Sequence, residues 1–152
     1  MRLFKDEKGR EWGLHIDVGT IARIRNEFAI DLSKVLASRE AIDELAGDVV
    51  KLVDVLWGLV KPQAEAKQVT PACFAEGLLG DAIERAGDAL IEAIIDFFPS
   101  RRRELLRQMW SKGKELADAQ LKSIEAKLTS GELLQGTQQL PELIPQTSVS
   151  EK

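Results

Sequence analysis

The chain has 152 residues, of which 44% are hydrophobic, and a net charge of −4, as expected for one globular domain with a short appendage at most. No apolar run approaches the roughly 18 to 20 residues that cross a bilayer, and residues 1–12 lack the apolar segment of a signal peptide. The only cysteine, Cys73, leaves no internal disulfide, which agrees with our expectation of a cytoplasmic protein without a membrane segment.

Residues 1–18 have the pattern of a β-hairpin. A short first strand around Phe4 leads into a turn, where Asp6 can bind its own backbone and Gly9 can take the left-handed conformation that closes such turns. In the second strand apolar residues alternate with polar ones, which predicts one buried face made by Trp12, Leu14, Ile16 and Val18. Because two strands alone are marginal in water, we expect this face to pack on helices.

The apolar spacing then changes from two residues to about 3.6, which predicts helices. The first begins at Asp17 or Thr20, and two further short helices follow with Asp31 and Ser38 as their capping residues. Helices of this length do not hold by propensity alone, so we expect them to depend on tertiary packing.

Three apolar-striped helices between Asp48 and Pro99 form the centre of the predicted fold. The first is capped by Asp48 and is expected to end at Pro62, after which residues 62–69 have the composition of a surface loop. The second begins at Thr70, which caps it ahead of a proline at the first helical position. The third continues up to Pro99.

A basic segment follows this acidic body. Residues 1–99 carry 12 Lys or Arg against 18 Asp or Glu, a balance of −6, whereas residues 100–152 carry 9 against 7, a balance of +2. Residues 100–128 predict a basic amphipathic helix, capped by Ser100 and striped with apolar side chains from Leu105 to Leu128.

Residues 129–152 have no hydrophobic period and are rich in Ser, Thr and Gln, so we predict a disordered tail. The predicted fold is therefore mainly α with a small N-terminal β-hairpin (α+β). It consists of a compact helical domain over residues 1–99, a long C-terminal helix over residues 100–128 and the tail.

Few side chains in the sequence could support catalysis. His15 is the only histidine, and it falls on the polar side of its strand, where a general base would be isolated. Cys73 lies in the first turn of a predicted helix without a second histidine to serve it, which is more typical of a small buried side chain than of a nucleophile. The sequence contains no metal-binding or phosphate-binding motif. We predict a protein that is not an enzyme and has no catalytic, cofactor-binding or metal-binding residues.

A row of carboxylates follows one face of the third central helix. Like charges three or four residues apart destabilise a helix slightly, so the row suggests either a solvated face partly offset by Arg85 or a surface for a basic partner. The row, called the acidic row below, consists of Asp81, Glu84, Asp88, Glu92 and Asp96. Its partner could be internal, because three arginines follow closely along the chain: Arg101, Arg102 and Arg103.

The basic helix also allows two interpretations. Apolar side chains interleaved with the bases between Arg101 and Lys114 are compatible with binding to nucleic acid or an anionic surface. Aromatic residues and leucines at helical spacing are more often part of a core, and the negative net charge disfavours a nucleic-acid partner.

The order of four motifs carries a family resemblance. Residues 4–16 read F-x-D-x-x-G-R-x-W-x-L-x-I, residues 52–60 read L-x-x-V-L-W-x-L-V, a Thr-Pro helix start follows at Thr70, and residues 89–99 read A-L-I-E-A-I-I-D-F-F-P. Over residues 3–99 the chain resembles the tail assembly chaperone family of long-tailed bacteriophages and prophages. It departs from that family at residues 71–73, where Pro, Ala and Cys replace an expected acidic pair.

The resemblance implies a non-catalytic protein that binds the long helical tape-measure protein, helps to recruit tail-tube subunits and leaves before the virion is complete. The expected contact is an apolar helix in a groove, with the acidic row setting register or association rate and no cofactor or membrane involved. The expected partner-binding residues are the acidic residues from Asp81 to Glu92, the arginines 101–103, and four apolar residues: Trp57, Ile91, Ile95 and Phe97.

Two other classes of function remain open. A permanent structural or adaptor protein could form a homo-oligomer through the apolar stripe from Leu105 to Leu128. A small DNA-binding regulator could use the basic helix, and its binding to duplex DNA would depend strongly on salt.

Overall fold

A computed structural model describes residues 1–35 and 37–131. Of these described residues 74% are helical, with a two-stranded antiparallel hairpin at the N-terminus and a long C-terminal helix, which confirms the predicted fold class. The elements in chain order are β1 (Arg2–Lys5), β2 (Glu11–Leu14), α1 (Val18–Phe28), α2 (Leu32–Val35), α3 (Arg39–Gly47), α4 (Val49–Ala66), α5 (Pro71–Glu76), α6 (Asp81–Phe97) and α7 (Ser100–Ser130).

Contacts divide the chain into one unit of Met1–Arg107 and a second unit that begins at Gln108. The first unit thus extends beyond the predicted boundary at residue 99 into the beginning of α7. That helix ends at Ser130, two residues after its predicted end. Most of the predicted disordered tail, residues 132–152, lies outside the described residues.

The hairpin packs one apolar face on the helices, as its alternation predicts. Phe4 pairs with Trp12 across the two strands, and both side chains are buried together with Leu14 and Ile16. The strand is shorter than predicted, because β2 ends at Leu14 and Val18 begins α1 with an exposed side chain. Both α6 and α4 contact the hairpin, so it is anchored to the central helices.

Asp6 in the hairpin turn is buried, with 3% of its surface exposed. Its Oδ1 accepts from the backbone N–H groups of Lys8 and Arg10, as expected for a turn aspartate. Its Oδ2 accepts from Arg10 Nε at 2.7 Å and from Trp12 Nε1 at 3.0 Å. Arg10 also donates to the carbonyl of Cys73, so this network joins the turn to α5.

Local capping rules place the starts of several helices correctly. The side chains of Asp17, Ser38, Asp48 and Thr70 each accept a backbone N–H in the first turn of the helix that follows. The predicted helix starts are confirmed at these four positions because a cap depends only on residues next to it in the sequence.

The prediction that the first central helix ends at Pro62 is wrong, since α4 continues through this proline to Ala66. Proline has no N–H to give to the carbonyl four residues earlier, which belongs to Gly58. Arg23 of α1 supplies the missing donor, with its Nη2 2.6 Å from that carbonyl oxygen.

The extended end of α4 also holds the hairpin in place. The Gln63 side chain accepts from the N–H of Gly13 at 2.9 Å and donates to the carbonyl of Gly13 at 2.7 Å. One turn of residues predicted as a surface loop is therefore helical because β2 and α1 provide its hydrogen bonds and contacts.

Helices α1 and α4 approach closely at Gly58. A Cβ atom at this position would lie 2.7 Å from a side-chain carbon of Ile24 and 3.1 Å from a ring carbon of Phe28. The missing side chain of this buried glycine is therefore what lets the two helices touch, and the same contact brings Arg23 within reach of its carbonyl.

Candidate interaction surface

The acidic row on α6 has two different environments along its length. Asp81 and Glu84 at its beginning are exposed, whereas the later members are partly buried. Arg2 of β1 donates to both carboxylate oxygens of Asp96 at 2.8 and 3.0 Å, and it lies 3.2 Å from Glu92. The second half of the row therefore binds a basic residue of the hairpin.

The basic residues that contact Glu92 and Asp96 are not the arginines suggested by the sequence. Besides Arg2, the Nη2 of Arg107 contacts Asp96 at 3.2 Å. Of the three arginines in the sequence prediction, Arg102 lies over the ring of Phe98, 4.6 Å from its centroid. Nearness in the sequence did not identify the partner, because β1 is brought to α6 by the fold.

The hydrogen bonds from Arg2 lower the pKa of Asp96; partial burial opposes them, and the charge of Arg107 adds to the lowering. Replacing Arg2 with glutamine is expected to raise the pKa of Asp96 toward the ordinary value of about 3.9. A pH titration of the side-chain carboxyl signal by NMR measures this, with Arg107→Gln as the control that causes a smaller rise. An unchanged pKa in Arg2→Gln would show that the contact does not hold in solution.

Two predicted partner-binding residues are part of the core. Ile91 and Ile95 are each only 3% exposed, so the prediction that they are available to a partner is wrong. The sequence correctly shows a wide apolar face on α6, but both the hairpin and α4 pack on this helix and cover that width. Trp57 is half-buried and packs on Phe74, with the ring centroids 5.6 Å apart.

Phe97 remains exposed at the C-terminal end of α6, with 37% of its surface accessible. It borders a small pocket of about 60 Å³ between the hairpin and α6. Leu14, Ile16 and Ala93 line this pocket together with Met1, His15 and Asp96, and its accessible surface is more polar than apolar. The volume suits the end of one small side chain, roughly two waters' share of liquid volume.

The two residues considered for catalysis, His15 and Cys73, lie in different parts of the structure. His15 is exposed just beyond β2, with its Nε2 3.7 Å from Asp17 Oδ2. Cys73 is half-buried in the first turn of α5, and its carbonyl accepts from Arg10.

The apolar stripe of α7 is on the surface. None of the described residues of this helix is buried. Large apolar side chains are exposed at Leu105, Met109, Leu116, Leu121, Ile124 and Leu128. Leu106 and Trp110 are half-buried, so the leucines and the aromatic residue of this stripe are only partly covered and none belongs to the core.

Comparison of the chain with protein-family models, curated proteins and solved structures gives no match. Among the helices of residues 1–35 and 37–131, none has the length and apolar character needed to cross a membrane.

Proposed function

We propose that this protein is a non-catalytic tail assembly chaperone that binds a tape-measure protein and assists assembly of the tail tube in the cytoplasm of a bacterial host. The proposal rests on the order of the motifs between residues 3 and 99 and on one observation. Phe97 is an exposed aromatic side chain beside a small pocket on the helix that also carries the acidic row.

The proposed contact is a helix of the partner lying across the C-terminal end of α6. Phe97 would pack against its apolar side, while one small side chain enters the pocket beside it. The contact area is small, so such binding is reversible, as release before the virion is complete requires. Asp81 and Glu84 at the other end of the helix remain exposed and can favour association with basic segments.

Co-expression with the longest open reading frame downstream of its gene tests this function. We expect a soluble complex with several copies of this protein per partner chain, measured by size-exclusion chromatography with light scattering. If the protein instead runs alone while that partner precipitates, the chaperone function is rejected in favour of a structural or adaptor role.

The surface is tested separately by Phe97→Asp. We expect this change to weaken the complex by roughly tenfold or more, since an aromatic contact would be replaced by a charge close to the carboxylate of Asp96. Leu79→Asp is the matched control, because Leu79 is 63% exposed and lies before α6, away from the pocket. Thermal unfolding of both variants checks that the fold is intact. Equal binding by the two variants would place the contact elsewhere.

A further inference from the structure

The apolar side of α7 has a regular spacing along the helix. Residues follow each other at steps of four, three and four, repeated once, in the order Leu106, Trp110, Gly113, Ala117, Leu121, Ile124 and Leu128. This repeat of eleven residues corresponds to 3.67 residues per turn, so the row stays on one side of a nearly straight helix. Its second half is exposed, at Leu121, Ile124 and Leu128.

Charged residues beside this apolar row alternate in sign. Lys114, Asp118, Lys122 and Glu125 follow at steps of four, four and three, on the same flank of the helix. Along the chain the signs run positive, negative, positive, negative, and in the reverse direction they run negative, positive, negative, positive. A second copy of the helix running in the reverse direction therefore presents the complementary charge at each position.

We infer that α7 pairs with α7 of a second copy in antiparallel orientation, centred near residue 119. In this register Lys114 faces Glu125 of the second copy, and Asp118 faces Lys122. The reciprocal contacts repeat both pairs, so the flank contains four opposite-charge contacts.

The same register also fits the shapes of the apolar residues. Ala117 lies opposite Leu121 of the second copy, and Gly113 lies opposite Ile124, so small residues meet large ones. A Cβ atom at Gly113 would meet nothing within 4 Å, which leaves room there for the isoleucine. Such a match of small and large side chains allows two helices to approach closely.

A parallel pair would not use the charges in this way. In a parallel pair the charged flank of one helix faces the other flank of the second helix. That flank contains Leu116, Gln120 and Lys127, which do not complement the alternating charges. Opposite charges four residues apart also stabilise an isolated helix, but that effect does not require an exposed apolar row beside them. Lys114 can serve both roles, since its Nζ already lies 5.8 Å from the ring centroid of Trp110.

The interface is small, because only about five turns of each helix take part. It falls at the low end of specific interfaces, so we expect a dimer that forms reversibly as the concentration rises. The dimer interface does not include Phe97 or the acidic row, so the test of this dimer is independent of the test of the proposed chaperone function.

Sedimentation equilibrium of the full chain at increasing concentration tests the pairing. We expect dimers in the native sequence and at least about tenfold weaker association for Leu121→Glu, which places a carboxylate in the apolar row of both copies. Ala119→Glu is the matched control on the opposite, exposed side of α7 and should leave association unchanged. A native chain that stays monomeric, or equal effects of the two variants, would overturn the inference.

Cross-linking with a short bis-maleimide tests the orientation. In a Cys73→Ser background, Gln120→Cys should cross-link to itself, because position 120 lies close to the centre of the antiparallel pair. Leu128→Cys should not, because the two copies of position 128 are about 27 Å apart along the helices. Cross-linking of both variants would indicate a parallel pair, and cross-linking of neither would indicate that α7 does not pair; either result contradicts the inference.

Discussion

Replacing Asp6 with alanine is expected to lower the free energy of unfolding by about 3 kcal/mol or more, one of the largest effects of any single substitution in the protein. Removing one member of a buried ion pair typically costs 3–5 kcal/mol, since the remaining charge loses its partner. Arg10 keeps 22% of its side chain exposed, which lowers the cost. The loss of acceptors for Trp12 Nε1 and two backbone N–H groups raises it again.

Urea unfolding of the native chain and Asp6→Ala measures this difference. Glu7→Ala is the matched control in the same turn, because Glu7 is exposed and loses only a 3.5 Å contact with Arg85. We expect that control to change the stability by less than about 0.5 kcal/mol. Equal effects of the two substitutions would mean that the buried network contributes little.

The same network makes part of the stability depend on pH. Burial raises the pKa of Asp6, but the hydrogen bonds from Trp12 and Arg10 outweigh it, and the net shift is downward. A carboxyl group with a lowered folded-state pKa contributes stability above its unfolded-state pKa of about 3.9 and loses it as the pH falls through the folded-state value. Asp6→Asn should therefore lose less stability than the native chain on acidification below about pH 4.

Local features of the sequence were sufficient for the helix starts, but not for the end of α4 or for the contacts between elements. The caps at Asp17, Ser38 and Asp48 could be predicted because each is decided within one helical turn. Asp6 could be placed in a turn for the same reason. Its burial could not, since it depends on Arg10 reaching α5, 63 residues further along the chain.

In the candidate surface, too, contacts between residues far apart in the sequence could not be predicted. The spacing of carboxylates predicted the acidic row, but its partner Arg2 is 94 residues away from Asp96 and has no special sequence signal. A wide apolar face on α6 predicted a large amount of buried surface, without indicating which neighbour covers it. Ile91 and Ile95 were therefore predicted to be available, although the fold covers both.

The second large effect concerns the proline inside α4. Replacing Pro62 with alanine is expected to raise the free energy of unfolding by about 1–3 kcal/mol, because a proline in a helix interior costs about 3 kcal/mol. The gain should fall short of the full amount, since Arg23 already satisfies the carbonyl of Gly58 in the native chain. A loss of stability in Pro62→Ala would contradict this account of the helix.

A double-mutant cycle isolates the contribution of Arg23. In the native chain Arg23→Met leaves the carbonyl of buried Gly58 without its side-chain donor, which should cost about 1–3 kcal/mol. We expect the lower half of this range, because Arg23 Nε is itself buried without a hydrogen-bond partner among the described residues. In the Pro62→Ala background the new N–H can bind the same carbonyl, so the cost of losing Arg23 should be smaller.

The four proteins of the cycle are compared by urea unfolding, and the two effects should couple by about 1 kcal/mol. Lys61→Met combined with Pro62→Ala is the control, because Lys61 is adjacent to the proline but binds Glu27 at the surface. Those two changes should add within about 0.5 kcal/mol. If the effects of Arg23→Met and Pro62→Ala are equally additive, the arginine does not replace the donor that the proline lacks. In that case tertiary packing alone keeps α4 helical beyond Pro62.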